Sequence, residues 1–193
     1  MFEQSRIFYE NFCKIFEKES DFRKDAINKY IHNKDFTDFV IEKINKIIRE
    51  QGYIAQNEYF RIDAIGYKTH WDNTDKMKKF NCHIWDLQIA VEHENDPADW
   101  LDEVVKLAHI YCPVRIVIGY VPFEQRPYGD VERLEYATNI LQKLKCKNNL
   151  TNGEFMVILG NSNTKGNMEN YFNYKAYVLN NENFNFESID KFI

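Results

Sequence analysis

The chain of 193 residues is 44% hydrophobic and 16% aromatic, which suits one compact core, and its 7 Gly and 4 Pro argue against a linker-rich or disordered chain. A formal net charge of -5 offers no bulk attraction for nucleic acid, so any such contact must come from a local basic patch. No apolar run approaches the ~20 residues that span a bilayer, and the acidic, amphipathic start MFEQSRIFYENF lacks the order of a signal peptide, so a soluble, cytoplasmic protein is expected.

The first fifty residues read as helices. Phe8, Phe12, Ile15 and Phe16 recur at helical spacing, as do Phe22, Ala26, Ile27, Tyr30 and Ile31. A third helix is predicted from about Thr37 to Glu50, with Val40, Ile41, Ile44, Ile47 and Ile48 as its apolar stripe and Gly52 as its stop. From Tyr59 the period changes, and YFRIDAIGYK reads as a strand with Ile62 and Ala64 on one face and Arg61 and Asp63 on the other. A polar loop, KTHWDNTDKMKKFN, leads to a second strand in WDLQIAVEHEND, where Trp85, Leu87, Ile89 and Val91 alternate toward the core. Asp96-Pro97 is predicted to open the next helix, the aspartate as cap and the proline in the first turn, with Trp100, Leu101, Val104, Val105 and Ala108 inward.

VRIVIGYV, 114 to 121, is a continuous apolar run expected at the sheet centre. A further helix turns Val131, Leu134, Thr138, Leu141 and Leu144 inward, and EFMVILG and NYKAYVLN are two more strands. A helix between the strands at 85–94 and 114–121 implies a parallel crossover and hence a mixed sheet. The four cysteines, Cys13, Cys82, Cys112 and Cys146, are dispersed and read as free thiols of a reducing compartment. Cys82-His83, with His70 and His93 nearby, matches no standard zinc spacing.

Chemistry concentrates where the strand at 85 ends. Alternation puts Glu92 and Glu94 on one face and His93 on the other, so His93 is expected as a hydrogen-bonded structural histidine rather than a general base. Asp63 stands between Ile62 and Ala64, a costly place for a carboxylate unless something compensates it. If the two strands are neighbours, Asp63, Glu92 and Glu94 converge, and their repulsion is of the kind a hard divalent cation relieves. Arg61, Trp71 and the lysines of DKMKKF, Lys76, Lys78 and Lys79, are candidates for nucleic-acid contact, while a second cluster, QKLKCK, reads equally as a helix end.

A leading helix, a strand carrying Asp, a strand ending Glu-x-Glu, then a helix and a central strand resembles the PD-(D/E)XK nucleases, the restriction-endonuclease-like phosphodiesterases. The matching residues are Asp63 in RIDAIG and Glu92 with Glu94 in IAVEHEN, and the likeness covers roughly residues 37 to 121. It implies a three-layer α/β/α core with a central mixed sheet. One domain is expected, with a helical extension over 1–36, a nuclease-like core over 37–121 and a completing helix and strands over 122–193. It also implies a magnesium or manganese ion held by Asp63, Glu92 and the main-chain carbonyl of His93, with Glu94 binding metal or positioning the water. The departures are the missing proline before Asp63 and, at Glu94, a glutamate where most members carry lysine. Some members do carry glutamate there, which is compatible with activity; Lys68 and Lys106 are the candidates to stand in spatially for the lysine, and Glu42 is the candidate for the glutamate many members add from the leading helix. The resulting expectation is a metal-dependent nuclease of DNA or RNA, for which double-strand cutting would call for a homodimer. The alternative is an inactive member of the same fold that binds nucleic acid or a protein.

Overall fold

The computed structural model describes residues 2–16, 33–69, 85–145, 150–162 and 173–191. The predicted helix around Phe22–Ile31 lies outside them. Two helices form from the N-terminal periodicity, α1 (Glu3–Phe16) and α2 (Asn33–Glu50). α1 buries Phe8, Phe12 and Phe16 as a stripe, and the free N–H groups of its first turn donate to the distant Glu154 carboxylate, Ser5 at 2.6 Å and Gln4 at 3.3 Å. α2 buries Val40, Ile44, Ile47 and Ile48. It stops where Gly52 takes φ +83°, a conformation open to glycine without a Cβ clash.

Among the described residues seven strands lie in sequential order across one sheet: β1 (Ile54–Tyr59), β2 (Ile62–Thr69), β3 (Trp85–His93), β4 (Val114–Pro122), β5 (Glu154–Ser162), β6 (Lys175–Asn180) and β7 (Asn185–Ser188). β3, β4 and β5 run parallel, and the flanking pairs are antiparallel. Parallel neighbours need crossovers, which α3 (Trp100–Ala108) and α4 (Tyr128–Lys143) supply. α1 and α2 cover one face through Ile89, Val91, Ile116 and Ile118. α3 and α4 cover the other through Ala90, Val117, Val157 and Leu159. The result is the expected three-layer α/β/α arrangement around a mixed sheet, with the 114–121 run buried on both sides at its centre. α3 lies so close over β4 that a Cβ on Gly119 would come 2.7 Å from the Trp100 ring. Among the described residues no helix is long and apolar enough to cross a membrane. Cys13 and Cys112 are free thiols, and Cys82 and Cys146 fall outside the described residues.

Several local expectations change. YFRIDAIGYK is not one strand: Tyr59 ends β1, Phe60 and Arg61 form a turn, and Ile62 begins β2. Beside that turn Ile62 packs on the α3 side while Ala64 packs on the α2 side, so the two do not share a face. In β3 the pairing skips from Gly66 opposite Ile89 to Tyr67 opposite Leu87, a bulge that turns Leu87 toward the α3 side, away from Ile89 and Val91. α3 begins at Trp100 with Asp99 at its cap. Asp96 instead accepts the Ala98 N–H at 2.8 Å and closes a turn before the helix. In α4, Val131 is 53% exposed and Ala137 takes the buried place beside Leu134 and Leu141.

Candidate active site

The register of β2 and β3 builds the site. Ala64 lies opposite Val91, which in this antiparallel pair brings Asp63, the residue before Ala64, beside Glu92, the residue after Val91. The Asp63 Oδ2 accepts the His93 backbone N–H at 2.8 Å, fixing that carboxylate against the end of β3. Val91 and His93 face the α2 side, so Glu92 points toward α3, where its side chain is 1% exposed.

From α3, Lys106 reaches into this position. Its Nζ lies 2.9 Å from Glu92 Oε1 and 2.5 Å from Glu103 Oε2. Lys106 and Glu103 are one helical turn apart, and the burial of Trp100, Val104 and Leu107 against the sheet orients both. Asp63, Glu92 and Lys106 thus come from three separate elements to one place.

The electrostatics of the group follow from burial. Loss of water pushes the Glu92 carboxyl up to about 8, and the Asp63 and Glu103 charges add to the effect while Lys106 opposes it. Burial also raises Asp63, against the His93 N–H, the Lys106 charge and a side-chain hydrogen bond with Glu92 that lower it. Burial alone would lower Lys106, but its bonds to Glu103 and Glu92 hold it above the ordinary lysine value.

His93 behaves as its side of the strand predicts. Its ring packs on Phe36 and Tyr120, and Nε2 lies 3.0 Å from the Tyr120 hydroxyl, which in turn lies 3.0 Å from that of Tyr174. Full burial pulls its pKa down to about 3, so the imidazole is neutral. Its role is to pin the strand end that presents the N–H to Asp63.

On the α2 side, Asp63 opens onto a cleft of about 300 Å³ lined also by Thr37, Glu42, Asn45, Arg49, Asn57 and Glu58. Glu42 and Asp63 therefore share a cavity wall, although the Glu42 carboxylate bonds Lys43 at 3.3 Å. Thr37 accepts a hydrogen bond from Asn95 at 2.7 Å, tying α2 to the segment after β3.

Other predicted residues lie elsewhere. Glu94 follows the end of β3 and accepts the Asp96 N–H at 2.7 Å. Among the described residues no three His, Cys, Asp or Glu side chains come together as a metal-holding group; the strand carboxylates that meet are Asp63 and Glu92, with Glu103 joined to them through Lys106. Lys68 sits far along β2 with its ammonium over the Tyr53 ring, 5.3 Å from the centroid, and does not reach the site. Arg61 belongs to the β1–β2 turn. Trp71, Lys76, Lys78 and Lys79 lie outside the described residues. Glu103 is the site residue that sequence reasoning missed; its spacing of three from Lys106 on one helix was the available signal.

No protein-family model matches the chain, and no solved structure matches it. An alignment 122 residues long, covering 55% of the chain, is 25% identical to the genome polyprotein of Canine calicivirus (strain 48), of which it spans 6%. A likeness of that extent assigns no family, and the functional reading rests on the site itself.

Proposed function

We propose that the chain is a metal-dependent phosphodiesterase of the PD-(D/E)XK type, acting on DNA or RNA, with Lys106 on a helix serving where most members use a strand lysine. The observation that carries this reading is the meeting of Asp63, Glu92 and Lys106 from β2, β3 and α3 in one largely buried group. Burying two carboxylates side by side is expensive, and strongly shifted groups of this kind are concentrated at functional sites.

The donor set fits a hard cation. Asp63 and Glu92 offer oxygen ligands whose ionised forms burial disfavours, and magnesium is commonly held by one or two carboxylates with waters completing its shell. Asp63, Glu92 and the His93 carbonyl would hold Mg2+ or Mn2+. Such an ion supplies Lewis acidity and lowers the pKa of a bound water. The chain's own residues do the rest. The His93 N–H sets the orientation of the Asp63 carboxylate. Glu92 must give up its proton to act as a ligand, so affinity for the cation rises with pH toward about 8. Lys106, steadied by Glu103, is placed to donate to a phosphoryl oxygen as charge develops there.

The engagement of Glu94 with the Asp96 N–H favours a second reading, a non-catalytic member of the fold that binds nucleic acid or a protein. One experiment separates the two. Labelled single- and double-stranded DNA and RNA are incubated with Mg2+, Mn2+ or EDTA. The phosphodiesterase reading expects hydrolysis with either metal, none in EDTA, and a loss of about 100-fold or more in Asp63→Asn. Binding without cleavage by the wild type leaves the non-catalytic reading, and cleavage that survives EDTA or Asp63→Asn removes this site from the reaction.

A further inference from the structure

The β1–β2 turn is built from residues that such turns avoid. Tyr59 pairs with Ile62, so the loop consists of Phe60 and Arg61 alone, with φ +48° and +64°. Two-residue hairpins with positive φ at both central positions normally use Asn-Gly or Asp-Gly, because left-handed backbone strains most L-residues. Glu58, at φ +51°, adds a third strained position to the same hairpin. Strain of this kind persists where the side chains it carries are needed.

Those side chains face outward. Phe60 is 81% exposed, and its ring meets Tyr59 in a T-shaped contact with centroids 4.6 Å apart. Among the described residues Arg61 pairs with no carboxylate. Two residues further on is Asp63, and Asn57, Glu58 and Asp63 all line the α2 cleft. An aromatic ring at Phe60, a free guanidinium at Arg61 and the half-buried site acid Asp63 therefore follow one another along four residues of chain.

We propose that this turn is the substrate-seating element of the site, with Phe60 stacking on an unpaired base of single-stranded nucleic acid while Arg61 meets the adjoining phosphate. The inference rests on the phosphodiesterase reading and gives it a substrate class. A single ring on a narrow turn stacks only where a base face is open, which a paired duplex does not offer along its length. The cleft also holds Asp38, Glu42, Glu58 and Asp63 against Arg49. That balance repels a bare phosphate backbone, so binding requires a divalent cation in the site.

The test uses anisotropy of a fluorescein-labelled phosphorothioate strand of about ten nucleotides, which resists hydrolysis, with Mg2+ or EDTA, beside the same sequence as a duplex. The wild type should prefer the single strand and require Mg2+. Phe60→Ala should weaken binding by about ten-fold or more, as loss of one stacked base does. Phe60→Trp should bind as tightly as wild type, with indole fluorescence that the strand quenches. Phe60→Asn with Arg61→Gly restores the residues the turn geometry prefers, and should raise the Tm while losing the same affinity; this variant keeps a failure to fold from passing as a failure to bind. Equal binding by Phe60→Ala and wild type, a duplex preference, or no binding of the strand at all would overturn the proposal. If wild type binds the strand through Phe60 yet cleaves no substrate, the hydrolytic reading falls and the base-seating role stands. If wild type cleaves and Phe60→Ala does so with unchanged KM on single strands, the base-seating role falls alone.

Discussion

Replacing Glu92 by Gln should make the metal-free protein more stable at alkaline pH while destroying its site. The folded-state pKa of Glu92 is raised from 4.5 to about 8, so its contribution to stability is full below 4.5 and is lost as pH rises through about 8. His93 acts in the opposite sense. Its pKa is lowered from 6.5 to about 3, so its contribution is full above 6.5 and is lost as pH falls toward 3. Between 4.5 and 6.5 the two slopes oppose each other, and above 6.5 Glu92 acts without that opposition. One proton corresponds to about 1.4 kcal/mol per pH unit, so wild type should lose about 2 kcal/mol between pH 6.5 and 8. Asp63 is likewise raised by burial and acts in the same sense as Glu92, and Lys106, held above the ordinary lysine value, keeps its charge across this window. Urea unfolding in EDTA at pH 6.5 and 8 measures the difference. Glu92→Gln should bring the loss close to zero, and excess Mg2+ should reduce it in wild type but not in the variant. A wild-type curve flat across this window, or a Gln variant that falls as steeply, would refute the claim that Glu92 is held protonated by burial.

Three further outcomes follow from the packing around the site. Lys106→Met should lower kcat by about 100-fold with a much smaller change in KM, because the lost donor acts on charge that develops during reaction; a change confined to KM would make Lys106 a binding residue. Tyr120→Phe removes the hydroxyl beside His93 Nε2 and should cost about 1–3 kcal/mol in chemical denaturation, since a buried ring nitrogen loses its partner; no change would mean that the His93–Tyr120 contact does not hold the strand end. Gly119→Ala forces a methyl group against the Trp100 ring and should destabilise by about 1–3 kcal/mol, read as a fall in Tm. An unaltered Tm would show that α3 does not sit as closely on β4 as described.

The part of the site carried by strands was legible in the sequence, and the part carried by helix phase was not. The adjacency of Asp63 and Glu92 follows from the alternation of Ile89, Val91 and His93, which survives intact at that end of β3, whereas Glu94, expected to join them, lies past the strand and bonds the Asp96 N–H. One bulge earlier, at Leu87, the same alternation fails, since periodicity alone does not show where a strand gains a residue. Lys106 remained one candidate among several because orienting it required the start of α3. The sequence favours Asp96-Pro97 by composition, yet the helix begins at Trp100, whose ring must fit over Gly119. β1 escaped notice because IAQNEY is a largely polar edge strand with little buried on either face, so it has no apolar alternation to reveal it. Phe60 and Arg61 disguised the hairpin between β1 and β2, as their types are those of strands rather than of tight turns.

The central claim is that Asp63 and Glu92 hold one divalent cation, and calorimetric titration of Mn2+ tests it most directly. Measurements at pH 8 and pH 6.5, in buffers of differing ionisation enthalpy, report stoichiometry, affinity and protons released together. One site per chain is expected, tighter at pH 8, with proton release on binding that grows toward pH 6.5. Loss of that site is expected in both Asp63→Asn and Glu92→Gln. A wild type that takes up no cation, or variants that bind it with undiminished affinity, would contradict the claim.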